Sequence, residues 1–307
     1  MAFTAKDVQL LRERTGVGMM ECKKALAETD GDMDKAIDVL REKGLAKAAK
    51  KAGRIAAEGV AFATVYEDKK VGVVVEVNSE TDFVAKNPQF QAFVADIAKA
   101  VADTNPADLD ALMAAPCGDK ESVTAALQDK ILVIGENMTV RRFARYEGDC
   151  VAYVHGGGRI GVLVRFEADA AAAGSEELKE CGKDVAMQIA ALNPLYLSKE
   201  TVPAADLEHE RSLQIAEIKN DPKNASTPDQ IIEKMVEGKM RKYFEENCLL
   251  QQAFVKDGDV TVAQYIENCA KKVGGSLKLV EYTRFEKGEG IQKREDDFAA
   301  EVASMMK

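Results

Sequence analysis

VAFATVYEDKKVGVVVEV (residues 60–77) and VAYVHGGGRIGVLVRF (residues 151–166) are two versions of one pattern. Each alternates apolar residues through one strand and turns in a polar or glycine-rich stretch. Each returns through Lys70-Val71-Gly72-Val73-Val74-Val75 or Arg159-Ile160-Gly161-Val162-Leu163-Val164, which together is the mark of a β-hairpin. A helical pattern follows each hairpin, DIAKAVADTNP (96–106) and DVAMQIAALNP (184–194), with Asp, Ala, Ala, Asn and Pro in register. Two related α+β subdomains, each an antiparallel sheet with helices, are the simplest explanation.

Outward from this repeat, residues 1–45 read as three short helices. Thr4 and Asp7 have capping-box spacing ahead of a face carrying Val8 and Leu11. Gly16 and Gly18 break the chain before a second helix over 19–28, with Cys22, Ala25 and Leu26 inward. Asp32 caps a third helix carrying Met33, Ile37 and Leu40, with Gly44 as its stop. A unit this small is expected to be a marginally stable module, tethered through the basic, helical and exposed link KAAKKAGR (47–54). Residues 107–140 read as helices around a loop at 115–118 and close in the strand MTVRRFARY (138–146). Residues 203–247 read as two charged helices with little apolar surface, a helical hairpin projecting from the body. Ile215 and Ile218 on its first helix are expected to meet Ile231, Met235 and Val236 on the second. The chain is expected to end in a helix over 260–273, the strand SLKLVEYTRFE (276–286) and a helical tail over 296–307.

Composition bounds what such a body can do. With 307 residues, 46% hydrophobic, there is material for about two cores. The net charge of −10 disfavours sequence-independent nucleic-acid binding, which needs Lys and Arg against phosphates. No stretch approaches the roughly 20 apolar residues that span a bilayer, and MAFTAKDVQL lacks signal-peptide architecture; a cytoplasmic chain beginning near Met1 is the expectation. The six cysteines stand singly, as buried small residues or free thiols do. There are two histidines, His155 and His209, and no HExxH, GxSxG or GxxxxGK[ST] motif. No catalytic, metal or cofactor site is therefore expected. A small-molecule enzyme using a cleft between the subdomains would instead need a pocket lined by inward carboxylates, and no motif supports it.

The repeat also supplies an internal control. Where the first copy has SETDFVAKNPQF (79–90), the second has EADAAAAGSEEL (167–178). The fold thus tolerates small residues at a place where the first copy sets Thr81-Asp82-Phe83-Val84 just past a strand end. Ser79 and Asp82 have capping-box spacing, so a helix is expected to start here, where ligand contacts are common. Residues alone leave two readings of Phe83 open: a filler for a gap in this copy's core, or an exposed aromatic anchor for a partner. Gly156-Gly157-Gly158 sits inside a predicted hairpin and opens no helix, so a turn is favoured over a phosphate cradle, and His155 beside it reads as a plain surface histidine. Arg12, Met19, Met20 and Lys23 cluster at the first helical turn. Two adjacent methionines cannot both enter one small core; a core-plus-rim arrangement and an adaptable contact surface fit equally well.

LRERTGVGMMECKKAL (11–26) and EVNSETDFVAK (76–86) resemble the two signature motifs of the elongation factor Ts family. The likeness continues through HGGGRIGVLV (155–164), EKMVEGKM (233–240) and FEKGEGIQKREDDFAAEV (285–302), and so covers essentially the whole chain. The resemblance implies a guanine-nucleotide exchange factor that grips elongation factor Tu, GDP-bound and nucleotide-free, and so supports translation elongation. It implies a UBA-like three-helix module with its linker (1–54), a first core subdomain (55–146), a second core subdomain in two parts (147–202 and 248–307, the latter with a C-terminal helical module) and a helical-hairpin insertion (203–247) able to mediate a homodimer. It implies that Thr81, Asp82, Phe83 and Val84 wedge into the GTPase and disturb its magnesium and phosphate region. Arg12, Met19, Met20 and Lys23 would be contacts of the N-terminal module, and His155 carries over only weakly. No enzyme chemistry, nucleic acid or membrane is implied.

Overall fold

The computed structural model describes residues 3–224 and 227–292. Three helices come first: α1 (Ala5–Thr15), α2 (Met19–Glu28) and α3 (Met33–Lys51). Thr4 and Asp7 close a capping box on α1, and Asp32 caps α3 by accepting from Lys35 N. Gly16, at φ 67°, ends α1 in the left-handed conformation that glycine adopts without strain. Val8, Leu11, Val17, Cys22, Ala25, Leu26, Ala36 and Leu40 form the core of the unit.

Two expectations change here. Gly44 does not stop α3, which continues to Lys51. The glycine is instead where α3 passes close to another helix: a Cβ there would lie 3.2 Å from Leu132 Cδ2. Nor is the unit merely tethered, because Leu132 and Val133 complete its core and Arg41 pairs with Glu121.

The body begins with β1 (Glu58–Tyr66) and β2 (Val71–Ser79), then α4 (Asp82–Ala85), α5 (Pro88–Thr104), α6 (Leu109–Ala114), α7 (Val123–Ile134) and β3 (Met138–Glu147). It repeats with β4 (Asp149–His155), β5 (Ile160–Ala168) and α8 (Glu176–Leu192). Next come α9 (Ala204–Asn220), α10 (Asp229–Asn247), the short β6 (Ala253–Phe254) and β7 (Asp257–Thr261), α11 (Val262–Val273) and β8 (Leu277–Glu286). The protein is α+β. Two antiparallel three-stranded sheets, ordered β1-β2-β3 and β4-β5-β8, lie face to face.

Helices cover the two outer faces. Val71, Val73, Val75 and Val77 of β2 point to α5, and Val162, Val164 and Phe166 of β5 point to α8 and α11. Alternate residues face the other sheet, and there the side chains are small: Ala61, Ala63, Ala144 and Ala152, with Val74, Leu163 and Phe285 among them. With both faces covered, β2 is buried along its whole length, which is why it reads as a continuous apolar run.

The repeat is visible in the caps and in the glycines. α5 and α8 both end on an asparagine in the left-handed region, Asn105 at φ 46° and Asn193 at φ 47°, each followed by a proline that cannot extend the helix. Gly72 and Gly161, at matching places in the two copies, each face the opposite sheet. A Cβ on Gly72 would lie 2.6 Å from Leu163 Cδ1 and 2.7 Å from Cys150 Cβ. Gly72→Ala is therefore expected to force the sheets apart and cost about 1–3 kcal/mol; a urea unfolding midpoint that does not fall would contradict this.

The glycine run is a hairpin turn. Gly156, Gly157 and Gly158 all have positive φ, and Gly158 O accepts from Ala61 N at 2.8 Å, so the turn covers the outer edge of β1. α9 and α10 pack antiparallel around Ile218, Ile232, Val236 and Met240. Ile232, rather than the expected Ile231, faces inward, and Ile231 is exposed. α11 starts at Val262, not 260, because Thr261 and Gln264 close a capping box and the preceding residues pair as a strand. The expected tail helix over 296–307 lies outside the described residues.

Candidate functional site

β2 delivers the chain to the segment of interest. Ser79, its last residue, is buried and donates its hydroxyl to Thr81 O at 3.0 Å, so it does not cap the next helix as its spacing suggested. Thr81 is the cap, its Oγ1 accepting from Val84 N at 3.4 Å. Asp82 accepts from Lys86 Nζ at 2.7 Å, and that hydrogen bond holds its carboxyl below the usual carboxylate range. Phe83 is 81% exposed, so it fills no gap in the core. Val84, expected beside it as a partner contact, is only 6% exposed and packs with Ala85 into the core of the first sheet. Within one helical turn the chain thus presents Phe83 outward and anchors itself inward. The matching stretch of the second copy forms a turn around Asp169, which accepts from Ala171 N and Ala172 N, and it offers no aromatic side chain.

Two polar clusters fix this end of the sheet pair. In the first, Thr81 N donates to Glu136 Oε2 at 3.0 Å and Thr81 Oγ1 to Glu136 Oε1 at 2.7 Å. Asn137 N donates back to Glu80 Oε1 at 2.6 Å. Asn137 Nδ2 holds Arg54 O at 2.8 Å, and Lys51 Nζ holds Gly135 O.

The second cluster surrounds Glu76, which is fully buried on β2. Arg141 Nη1 (2.9 Å), Arg142 Nε (2.6 Å), Asn78 Nδ2 (3.1 Å) and Gly288 N (2.8 Å) all donate to its carboxylate. Burial pushes this carboxyl up, but the hydrogen bonds from Gly288, Arg141, Arg142 and Asn78 together outweigh it and hold the group below its usual range. Arg142 also lies 4.3 Å over the ring of Phe285. The turn after β8 is tied down here as well: Lys287 N donates to Arg159 O at 2.9 Å, and Gly288 passes so close that a Cβ would lie 2.0 Å from Ala57 O.

The remaining candidates lie around the same end. His155 ends β4 beside the glycine turn, exposed, its Nδ1 3.0 Å from Tyr153 Oη. Arg12, Met19, Met20 and Lys23 flank the turn around Gly16, which lies against Val133 near the end of α7. Both methionines are exposed, Met19 by 42% and Met20 by 63%, so neither enters the core of its unit. The glycine turn meets β1 through Gly158 O and Ala61 N, the N-terminal helices meet α7 through Gly16 and Val133, and the Phe83 turn is held by Glu136 through Thr81, all contacts between residues far apart in sequence. Glu136, Asn137, Glu80, Arg54 and Glu76 were not singled out as site residues. Each is a common polar residue, and apart from the Glu76–Asn78 contact their partners lie more than 20 residues away, so no local spacing marks their roles.

Among the described residues, no group of three or more His, Cys, Asp or Glu could hold a metal, and no helix is long and apolar enough to cross a membrane. A cleft of ≈ 830 Å³ between α11 and β8 is lined mainly by apolar residues such as Leu197, Leu250, Ile266, Leu277 and Leu279. It lies at the opposite end of β8 from the Glu76 cluster.

Comparison with known proteins places this chain in a family. Residues 80–289 match the family model for elongation factor TS. Elongation factor Ts of Clostridium perfringens (strain ATCC 13124) is 50% identical over 306 residues, 99% of each chain. Elongation factor Ts of Clostridium botulinum (strain Eklund 17B) and of Clostridioides difficile (strain 630) are each 48% identical over 307 residues, again 99% of each chain. A family model covering more than half the chain, and end-to-end relatives at about half identity, agree with the motifs at 11–26 and 76–86: the chain belongs to the elongation factor Ts family.

Proposed function

We propose that the protein is a guanine-nucleotide exchange factor of translation elongation. It binds elongation factor Tu and promotes GDP release by pressing the Asp82-Phe83 turn into the region that holds magnesium and phosphate. The observation that carries this reading is the exposure of Phe83 on a turn anchored on both sides, in a chain of this family. Burying that ring in a partner gains about 1.5–3 kcal/mol. The gain drives exchange only if it is realised in the nucleotide-free conformation, and nucleotide then weakens the factor's hold by the same ratio. Proton transfer and covalent intermediates have no part in such a cycle.

The N-terminal unit (residues 1–54, UBA-like) supplies a second grip through Arg12, Met19, Met20 and Lys23, since two adjacent exposed methionines adapt readily to a partner. Thr81 acts as the cap of the wedge and Val84 as its internal anchor, while His155 lies at the rim of the same face. The sheet of 55–146 and that of 147–202 with 248–307 serve as two subdomains of a rigid support. The hairpin of 203–247 projects from it, and exposed Leu213 and Ile231 support self-association through its surface. Direct contact with nucleic acid has no place in this reading.

The test is a stopped-flow record of fluorescent GDP leaving elongation factor Tu. Release is expected to accelerate with added factor and to saturate, and excess GDP should dissociate the complex. A release rate independent of factor concentration would remove the proposal.

A further inference from the structure

We infer that Glu136 is a positioning residue for Phe83, acting through the hydroxyl of Thr81, and that the clasp it forms with Glu80 and Asn137 ties the wedge to the end of α3. This inference rests on the exchange-factor reading and asks what holds the wedge in readiness.

α4 has four residues, too few to persist as an isolated helix. Its orientation has to come from contacts outside itself. On the inner side, Val84 and Ala85 are buried. On the outer side the cap depends on Thr81, whose hydroxyl has a single hydrogen. Thr81 Oγ1 gives that hydrogen to Glu136 Oε1 at 2.7 Å, which leaves its lone pairs for Val84 N at 3.4 Å. The other carboxylate oxygen takes Thr81 N at 3.0 Å. Glu136 therefore fixes the backbone and the hydroxyl of the cap together, with charge-assisted bonds that are stronger than neutral ones.

The pairing is reciprocal. Glu80 accepts from Asn137 N at 2.6 Å, so each two-residue segment gives a backbone N–H to a carboxylate of the other. Arg54 joins both sides: its carbonyl accepts from Asn137 Nδ2 at 2.8 Å and its guanidinium lies 3.5 Å from Glu80 Oε1. Lys51, which ends α3, and Arg54 just beyond it thus link the N-terminal helices to the cap of the wedge. Phe83 and the Met19–Met20 pair meet a partner from a shared support.

A wedge already held in its working pose spends less of its binding free energy on ordering. Glu136→Ala is expected to slow GDP release at saturating factor about tenfold, from the lost charged hydrogen bonds and the lost order. In a Phe83→Ala background the same substitution should slow it less than twofold, because a residue that acts through Phe83 has nothing left to position. Amide hydrogen exchange at residues 82–85 of the free protein should rise in Glu136→Ala while the core of β2 stays protected. If Glu136→Ala folds poorly, Thr81→Val removes the same hydroxyl link and should give the same pattern.

The inference is overturned if Glu136→Ala leaves release unchanged, or slows it by one factor with and without Phe83, as a purely structural defect would. Should Phe83→Ala itself leave release unchanged, the wedge reading falls and takes this inference with it. Should Phe83→Ala slow release while Glu136→Ala does not, only the positioning role is lost.

Discussion

Phe83→Ala is expected to slow factor-promoted GDP release about thirtyfold while leaving the unfolding midpoint of the protein where it is. The first half follows from truncating an aromatic anchor at the centre of a contact, worth about 2 kcal/mol. The second follows from exposure: a ring 81% open to solvent contributes little to the folded state, and substitutions at such places usually stay within about 0.5 kcal/mol. The two measurements together are diagnostic. A core residue would lose both stability and activity, and a bystander would lose neither. Paired stopped-flow and urea-unfolding experiments decide it. A release rate unchanged in the variant, or a drop in midpoint matching the drop in rate, would sink the wedge mechanism.

Glu76 should show the opposite behaviour. Its carboxylate is fully buried and takes hydrogen bonds from Arg141, Arg142, Asn78 and Gly288 N. Glu76→Ala strands those donors in a place where they cannot all reach water. Breaking a buried ion pair from one side costs about 3–5 kcal/mol. The lower end applies here, because the Arg141 and Arg142 side chains keep 27% and 31% of their exposure and can be partly re-solvated.

The loss should carry a pH signature. Glu76 is held below its ordinary value in the folded protein, so the unfolded chain takes up the proton more readily. Its contribution is complete above the ordinary carboxylate value of 4.5 and is lost as pH falls through the folded value. The stability gap between the wild type and Glu76→Gln is expected to be level near neutrality and to narrow in acid below about pH 4.5. Urea midpoints at neutral and acid pH measure this, and parallel curves for the two proteins would contradict it.

Thr4 with Asp7, and Asp32, mark helix starts through contacts three residues long. The alternation in 60–77 and 151–166 marks hairpins, because strand faces repeat every two residues. The Asn-Pro pairs that end α5 and α8 are equally local. Two local signs are overruled, one by a distant surface and one by a nearer acceptor. Gly44 looked like a helix stop and proved to be a crossing point, because Leu132 lies against it. Ser79 had the spacing of a cap, but its hydroxyl turned to Thr81 O and left the capping to Thr81.

Taken alone, the sequence determined that the chain is α+β, that it carries one hairpin–helix pattern twice, and that residues 81–84 differ between the copies in a way the fold does not require. Both hairpins and caps are short-range, so the residues that make them are neighbours in the chain. Only the tertiary structure decided that Phe83 faces solvent while Val84 faces the core, and that Glu136 and Glu76 hold the end of the sheet pair from which Phe83 projects. A side chain's exposure depends on what packs beside it. Partners 55 to 212 residues away, as for Glu136 with Thr81 and Glu76 with Gly288, leave no periodic trace in the sequence.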